Sequence, residues 1–254
     1  LRDHYNYYNQ YITTDALYHH KSISFRSNPD KPFVVTIGAE LAAQFGGTKR
    51  YYKEGVLIDS LTMKSPTRLK DFFKILFPSS GDGQSNKGDQ AYYLSAEYRF
   101  KDNSSVRGYF EWYFDDASGM GKFNGWDGLW GLEYKSGKKN WLSNVVLEYL
   151  DMTNQSGPLN WCPSDYNDPK LDIEATGADD YYNNYFYNGW VHYGLSNGTA
   201  MAKSLLYNTD GYMRYKHNRI RGAYLGASGY IAPEWKYKIL ASYRTSWGTT
   251  FLPL

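Results

Sequence analysis

Two pairs of adjacent aspartates are the first residues whose type and spacing could support chemistry: Asp115-Asp116 and Asp179-Asp180. Paired carboxyl groups serve in glycoside hydrolysis, and carboxylate oxygens suit calcium. Neighbouring aspartates more often cap or close turns. We therefore predict no catalytic residue and no metal site. An oxygen-ligated ion at these pairs is the open alternative.

The other reactive residue types form no catalytic pattern. The five histidines include no pair at the i, i+4 spacing of a helical zinc site, and His19 and His20 would point to opposite faces of a strand. The sequence contains no serine nucleophile elbow, phosphate-binding glycine loop or dinucleotide motif. The single cysteine, Cys162, forbids an intramolecular disulfide and a cysteine-based zinc site. The sequence therefore predicts a protein that is not an enzyme and uses no cofactor.

The run GADDYYNNYFYNGWVHY, at residues 177–193, has the composition of a sugar-binding segment. Aromatic rings cover the apolar faces of sugars, while amides and carboxylates reach the hydroxyl groups. The alternative is an aromatic belt at a membrane interface with a turn attached. Composition alone slightly favours the belt.

Overall composition limits the classes of partner. The formal net charge is +2 and no basic stripe is present, which argues against nucleic acid. Aromatic residues make up 19% of a chain whose mean hydropathy is −0.65, so they alternate with polar residues. No apolar run reaches the roughly 18 residues of a spanning helix, whereas a barrel strand needs only about ten alternating residues. The absence of a secretory leader before residue 1 is compatible with a cleaved or incomplete chain.

The elements expected to position these residues are β-strands, because apolar side chains recur at every second position. In residues 92–101 one face carries Tyr92, Leu94, Ala96, Tyr98 and Phe100, and the other carries Tyr93, Ser95, Glu97, Arg99 and Lys101. The turn Asp102-Asn103-Ser104 predicts a hairpin with residues 106–114. Similar alternation occurs at residues 126–134, 141–149 and 235–244, and more weakly at 21–27, 34–44, 187–194 and 220–231.

A soluble β-sandwich would also alternate, but two features favour a membrane barrel. Aromatic residues fall at strand ends on the apolar face, as Tyr92 does with Phe100, which is typical of interfacial girdles. Charged residues occupy mid-strand positions on the other face, which suits a polar lumen. Short turns also alternate with long connections, at residues 46–89, 115–125 and 151–184. We predict an all-β fold, an antiparallel transmembrane β-barrel extending over residues 1–254.

One long connection is expected to contain a short amphipathic helix, at residues 65–77. Ser65-Pro66 is a favourable helix start, and Pro78 ends the pattern. The apolar side chains Leu69, Phe72, Phe73 and Leu76 fall on one face of this helix. The helix could plug the lumen or pack over the rim, and the sequence does not choose between these.

Five motifs follow one another along the sequence. The first is the run Tyr109 to Asp116, which is followed by Asp127-Gly128 and Gly131-Leu132-Glu133-Tyr134. The others are Gln155-Ser156-Gly157-Pro158, Asp179 to Asn184, Gly189-Trp190 with Tyr193-Gly194, and Asn218-Arg219 ahead of Gly226. In this order the motifs resemble the Wzi-type capsule-assembly proteins of Bacteroidetes-like bacteria, over about residues 18–248.

The resemblance implies an outer-membrane barrel of about eighteen strands in a Gram-negative bacterium, of which this chain would be the C-terminal portion. It further implies a lectin-like, non-enzymatic role in assembling or anchoring capsular or surface polysaccharide. Expected partners are that polysaccharide, outer-membrane lipid or lipopolysaccharide, and other outer-membrane proteins or the N-terminal portion. The residues that the motifs place at the rim and its glycan contacts are Asp115, Asp116, Asp179, Asp180, Tyr181, Tyr182, Asn183, Asn184 and Trp190. A diffusion porin and a structural subunit of an outer-membrane complex are the alternative functions.

Overall fold

The computed structural model describes residues 10–65, 67–69, 90–114, 125–155, 180–183, 187, 189–210 and 213–249. The regular secondary structure in this part of the chain is almost entirely β-strand, as the alternating sequence predicts. No helix in these ranges has the length and apolar character needed to cross a membrane. The predicted helix at residues 65–77 lies outside the described residues, apart from Ser65 and residues 67–69.

Twelve strands form in the described ranges. They are β1 (Gln10–Arg26), β2 (Phe33–Lys53), β3 (Val56–Leu57), β4 (Met63–Lys64), β5 (Gln90–Arg99), β6 (Ser105–Phe114), β7 (Gly128–Lys135), β8 (Asn144–Asp151), β9 (Val191–His192), β10 (Leu195–Ser196), β11 (Ile220–Ala232) and β12 (Trp235–Ser246). Short 3₁₀ turns occupy Asp59–Leu61 and Leu205–Tyr207.

One antiparallel sheet contains ten of these strands. Its order is β1-β2-β5-β6-β7-β8-β11-β12, and β3 and β4 pair with β2, while β9 and β10 pair separately. Every neighbouring pair along this path is antiparallel. Within the described ranges β1 and β12 each have a neighbour on one side only, and no pairing joins them. The fold is therefore an extended antiparallel sheet with two free edges in this part of the chain.

The hairpin predicted around Asp102 is confirmed. Strands β5 and β6 pair from Gln90 with Phe114 to Arg99 with Ser105. The turn between them closes because Asn103 adopts a positive φ of 64° and the Asp102 carboxylate accepts bonds from the Ser104 amide and hydroxyl, at 3.0 and 2.6 Å. Asparagine tolerates this backbone region and aspartate can bond its own turn. Local turn chemistry therefore sets this register.

Two predicted strand limits are wrong. Trp126 and Trp141 lie outside strands, because β7 begins at Gly128 and β8 at Asn144. The turn after β7 extends to Ser143, whose hydroxyl bonds the Asn140 carbonyl at 3.0 Å. Both tryptophans are 72% exposed.

One face of the sheet is apolar across all eight strands of the main path, with side chains that are half-buried or exposed, and we call it the outer face. A single row of laterally paired positions illustrates it: Phe25, Ile37, Leu94, Phe110, Trp130, Tyr149, Ala223 and Tyr243. The adjacent row contains Leu132, Leu147 and Leu225, which remain 44–50% exposed. Within the described ranges no second sheet covers this face. A β-sandwich is therefore not the arrangement of this part of the chain.

The opposite, inner face carries most of the charged side chains of the central strands. Glu97, Arg107 and Glu133 are lateral neighbours on β5, β6 and β7. Glu97 pairs with Arg99 at 2.8 Å and Arg26 at 3.6 Å, and Glu133 pairs with Arg107 at 2.7 Å and Lys135 at 3.1 Å. These ion pairs occupy the half of the inner face nearest the short turns, which we call the lower half.

The main buried core lies on the inner side of the sheet. Strands β8 and β11 and the residue after β8 contribute Leu150, Ile220 and Met152. The connection between β8 and β11 contributes Tyr181, Met201, Ala202, Leu205 and Tyr215. Apolar surface removed from water stabilises a fold by about 25 cal/mol per Å². The core therefore fixes the long β8–β11 connection onto the sheet.

Candidate functional site: a cavity under the β8–β11 loop

The described residues between Asp180 and Arg219, which we call the β8–β11 loop, fold against the upper half of the inner face. The Tyr181 hydroxyl donates to the Tyr113 carbonyl on β6 at 3.1 Å. Gln44 on β2 donates its side-chain amide to the Gly189 carbonyl at 3.3 Å, and Arg244 on β12 donates to the Met201 carbonyl. The loop therefore contacts strands near both ends of the sheet as well as its centre.

Tyr215 holds two separate parts of the loop together. Its side chain is 1% exposed, and its hydroxyl donates to the Trp190 carbonyl at 2.7 Å. Its backbone amide donates to the Asn183 side-chain oxygen at 2.8 Å, and its carbonyl accepts from the Asn183 amide at 3.0 Å. Buried polar groups need such partners, because an unmade bond costs about 1–3 kcal/mol. Trp190 is thereby fixed in position.

Asp180 forms the other internal junction of the loop. Its carboxylate accepts a bond from the Asn218 side-chain amide at 2.5 Å and another from Asn183 at 3.0 Å. Burial raises the pKa of Asp180, and these two hydrogen bonds oppose that rise. The contacts of Asp180 in the described part of the chain therefore lie within the loop.

The raised pKa of Asp180 predicts that the loop loses stability as the pH rises. A carboxyl whose pKa is higher in the folded than in the unfolded state stabilises folding fully below its unfolded pKa of about 3.9. That contribution is lost as the pH rises through the folded pKa. We expect Asp180→Asn, which carries no charge at this position, to reduce the slope of loop stability against pH. The measurement is the free energy of loop opening from amide hydrogen exchange, corrected for the intrinsic pH dependence.

Asp30, an exposed residue of the turn between β1 and β2, provides the control. Asp30→Asn removes the same charge far from the loop and should leave the slope unchanged. An Asp180→Asn slope equal to that of the unmodified protein would contradict the assignment.

A cavity of about 740 Å³ lies between the loop and the upper inner face. This volume falls within the range of about 300–1,000 Å³ that is typical of ligand sites. Aromatic side chains dominate its lining: Tyr18, Tyr113, Phe114, Tyr181, Tyr182, Trp190 and Tyr224. The Tyr18 and Trp190 rings meet edge to face with centroids 5.7 Å apart. The loop and β1 together form an aromatic corner of the cavity.

The polar groups of the cavity are carboxylates, imidazoles, hydroxyls and amides. Glu40 on β2 lies 3.5 Å from the His20 ring on β1, and Glu148 on β8 accepts a hydrogen bond from the Tyr109 hydroxyl. Thr199 and Tyr224 share a hydrogen bond of 3.0 Å between their hydroxyls. His192 and Asn197 also line the space, and no lysine or arginine does so among the described lining residues. The arrangement suits recognition of a polyhydroxylated ligand, because it combines ring faces with hydrogen-bonding groups.

The cavity brings together three of the nine predicted site residues. Tyr181, Tyr182 and Trp190 line it. Asp180 and Asn183 lie beside it and bond within the loop. The remaining four, Asp115, Asp116, Asp179 and Asn184, lie outside the described residues, as does Cys162.

The sequence alone does not distinguish the sheet residues that line the cavity. Glu40, Glu148 and Tyr224 occupy the inner face, but residue type alone does not separate them from other inner-face positions. The pairing register of the strands is the feature that would have brought them together. In the paired strands β1 and β2, His20 lies opposite Ala42, two positions from Glu40 on the same face. The opposite orientations predicted for His19 and His20 follow from the same strand geometry.

Searches for related proteins returned no matching protein-family model, curated protein or solved structure. Within the described residues, no group of three or more His, Cys, Asp and Glu side chains could hold a metal ion.

Proposed function

We propose that this chain is part of a Wzi-type outer-membrane β-barrel that holds capsular or surface polysaccharide without covalent chemistry. The observation that carries the membrane part of the proposal is the exposed apolar outer face. A water-soluble protein rarely exposes a contiguous apolar patch larger than a few hundred Å². Hydrocarbon contact would explain why apolar rows continue across all eight strands of the main path.

The dimensions of the outer face support the same proposal. From Tyr92 to Phe100 the chain advances eight residues, or about 27 Å along an extended strand. A bacterial barrel displays an apolar band about 25 Å tall between two aromatic girdles. Strands β5 and β6 each contain ten residues, the length that a tilted spanning strand requires.

Barrel closure requires further strand pairing at the free edges of β1 and β12, because unpaired backbone groups are not tolerated in lipid. We propose that strands from an N-terminal portion of the barrel, or from another chain, supply it. If another chain supplies these strands, that chain would be an outer-membrane partner protein.

The polysaccharide part of the proposal depends on the cavity under the β8–β11 loop. Its aromatic corner, carboxylates and hydroxyls match the chemistry of sugar recognition. A diffusion porin is the competing function, and the ion-paired lower half of the inner face favours it, because such charges suit a wet lumen. The loop, however, covers the upper half. Planar-bilayer recording distinguishes the two, since a steady open conductance would support the porin.

Trp190→Ala is the direct test of the polysaccharide role. Trp190 is 5% exposed and forms half of the aromatic corner. Loss of a buried aromatic contact at the centre of a binding site costs about 2 kcal/mol or more, which corresponds to a roughly thirtyfold weaker affinity. We expect cells expressing this variant to release surface polysaccharide into the medium, where it can be measured.

Trp235→Ala is the matched control, because Trp235 is 72% exposed and lies at the start of β12, away from the cavity. Cells expressing Trp235→Ala should retain as much surface polysaccharide as cells expressing the unmodified protein. If Trp190→Ala, present in the outer membrane at normal amount, retained polysaccharide as well as the control, the role would be refuted.

A further inference from the structure

We propose that the cavity under the β8–β11 loop selects a saccharide unit bearing a protonated amine, such as an amino sugar, over one bearing a carboxylate. This inference depends on the proposed glycan-binding role and adds the charge of the bound unit. It follows from the charged groups that line the cavity, and from the aromatic lining of the same space.

The arginines and lysine on the inner face of β1, β5, β6 and β7 are committed to ion pairs away from the cavity. Arg26 and Arg99 pair with Glu97, while Arg107 and Lys135 pair with Glu133. All four lie in the lower half, towards the short turns. They do not neutralise carboxylates in the upper half.

The upper half carries three carboxylates on three strands. Glu40 and Glu148 line the cavity, and Glu111 lies on the same face of β6, where it accepts a bond from the Tyr113 hydroxyl at 2.8 Å. Within the described ranges, none of the three lies within ion-pair distance of a lysine or an arginine. The cavity wall therefore presents the carboxylates of Glu40 and Glu148, and no lysine or arginine among its described lining residues balances them.

The aromatic lining favours the same class of ligand. The face of a tyrosine or tryptophan ring attracts a cation, and the attraction strengthens as water is excluded. Tyr18, Trp190 and Tyr182 line the space that Glu40 and Glu148 also line. A protonated amine on a sugar would meet carboxylates and ring faces together. A uronate would meet the same carboxylates as like charges, which is unfavourable.

The size of the cavity suits a short oligosaccharide segment. A cavity of about 740 Å³ accommodates a ligand of drug-like size or slightly larger. Glu40 lies near the entrance, since its side chain is 53% exposed, and it can be replaced with little disturbance of the fold. This makes Glu40 the residue of choice for testing charge selection.

The experiment compares three trisaccharides of matched length by tryptophan fluorescence and calorimetry, using the complete barrel purified in detergent. They are a glucosamine trimer, its N-acetylated neutral counterpart and a galacturonate trimer. The expected order of affinity is glucosamine, then the neutral trimer, then galacturonate, with roughly tenfold or more between the first and the last. The preference should shrink as salt is added.

Charge substitutions locate the effect. Glu40→Gln and Glu148→Gln should each weaken binding of the glucosamine trimer by roughly tenfold and leave the neutral trimer nearly unchanged. Glu234→Gln, in the exposed turn between β11 and β12, removes the same charge elsewhere and should change neither.

The outcomes separate the two proposals. Equal affinity for all three trimers, or tightest binding of galacturonate, would overturn the charge selection and leave the glycan role standing. Absence of binding by every trimer to correctly folded protein would count against the glycan role of the cavity itself. A glucosamine preference that survives both cavity substitutions would also overturn the assignment of its cause.

Discussion

Leu132→Arg is expected to destabilise the protein folded into lipid vesicles by about 2–4 kcal/mol, the cost of a cation at the middle of a barrel wall. Leu132 lies on the outer face in the lateral row of Ala96, midway between Tyr92 and Phe100. Its side chain is 50% exposed, so an ordinary water-facing surface would accept arginine with a change of about 0.5 kcal/mol or less. Denaturant titration in vesicles measures the difference.

Val56→Arg is the matched control for this substitution. Val56 is also apolar and 63% exposed, but it lies in β3, the short strand that pairs beside the far end of β2, beyond the apolar rows. We expect it to change the free energy of folding by about 0.5 kcal/mol or less. If both arginine variants were equally stable, or if the protein dissolved as a monomer without detergent, hydrocarbon contact at the outer face would be excluded.

Gly189→Ala is expected to destabilise the β8–β11 loop by about 2–5 kcal/mol, the sum of a backbone cost and a steric cost. Gly189 has a φ of +87°, which costs other residues about 1–2 kcal/mol. A Cβ atom there would lie 2.2 Å from the Tyr182 carbonyl oxygen, which accepts the Trp190 amide at 2.9 Å. Overpacking of this kind typically adds 1–3 kcal/mol. Amide exchange in the loop and binding of a trisaccharide would both report the loss.

Gly55→Ala separates backbone strain from the steric clash. Gly55 also has a positive φ, of +77°, but a Cβ there would meet nothing within 4 Å. It should therefore cost only the strain, about 1–2 kcal/mol, with the cavity unaffected. Equal costs for the two alanine variants would show that the contact with Tyr182 contributes nothing.

The sequence predicts the sheet well wherever the determinants are local. Alternation over residues 92–114 predicts both β5 and β6, since neighbouring side chains on a strand face opposite sides of the sheet. The Asp102-Asn103-Ser104 turn predicts their pairing, because its hydrogen bonds involve only adjacent residues. The apolar face is also predicted correctly, and Leu94 and Leu132 on that face are both exposed.

Loop structure is predicted poorly because its determinants are distant in sequence. Residues 187–194 alternate weakly and are rich in aromatics, which indicates a strand, yet among the described residues of this range only Val191–His192 forms one. The bonds that fix this segment come from Tyr215 and from Gln44, 145 residues before Gly189. No local pattern encodes such partners.

The candidate site divides in the same way. Tyr181, Tyr182 and Trp190 come from a segment whose composition fits both a sugar-binding site and an aromatic belt at a membrane interface. Glu40 and Glu148 are single carboxylates on alternating strands, and their importance depends on which residues the fold places opposite them. The sequence therefore predicts the lining residues that lie together in one segment. It does not predict those that are distributed over several strands.

The hydrogen bond between Gln44 and Gly189 also restricts the order in which the molecule can assemble. Contacts between residues far apart along a chain form late, because a large loss of chain entropy precedes them. Hairpins such as β5–β6 can form early from neighbouring residues. The aromatic corner, which needs Tyr18 from the first strand and Trp190 from the loop, can be completed only after most of the sheet has formed. Ligand-binding competence should therefore appear as the last kinetic phase of refolding, later than the gain of β-structure.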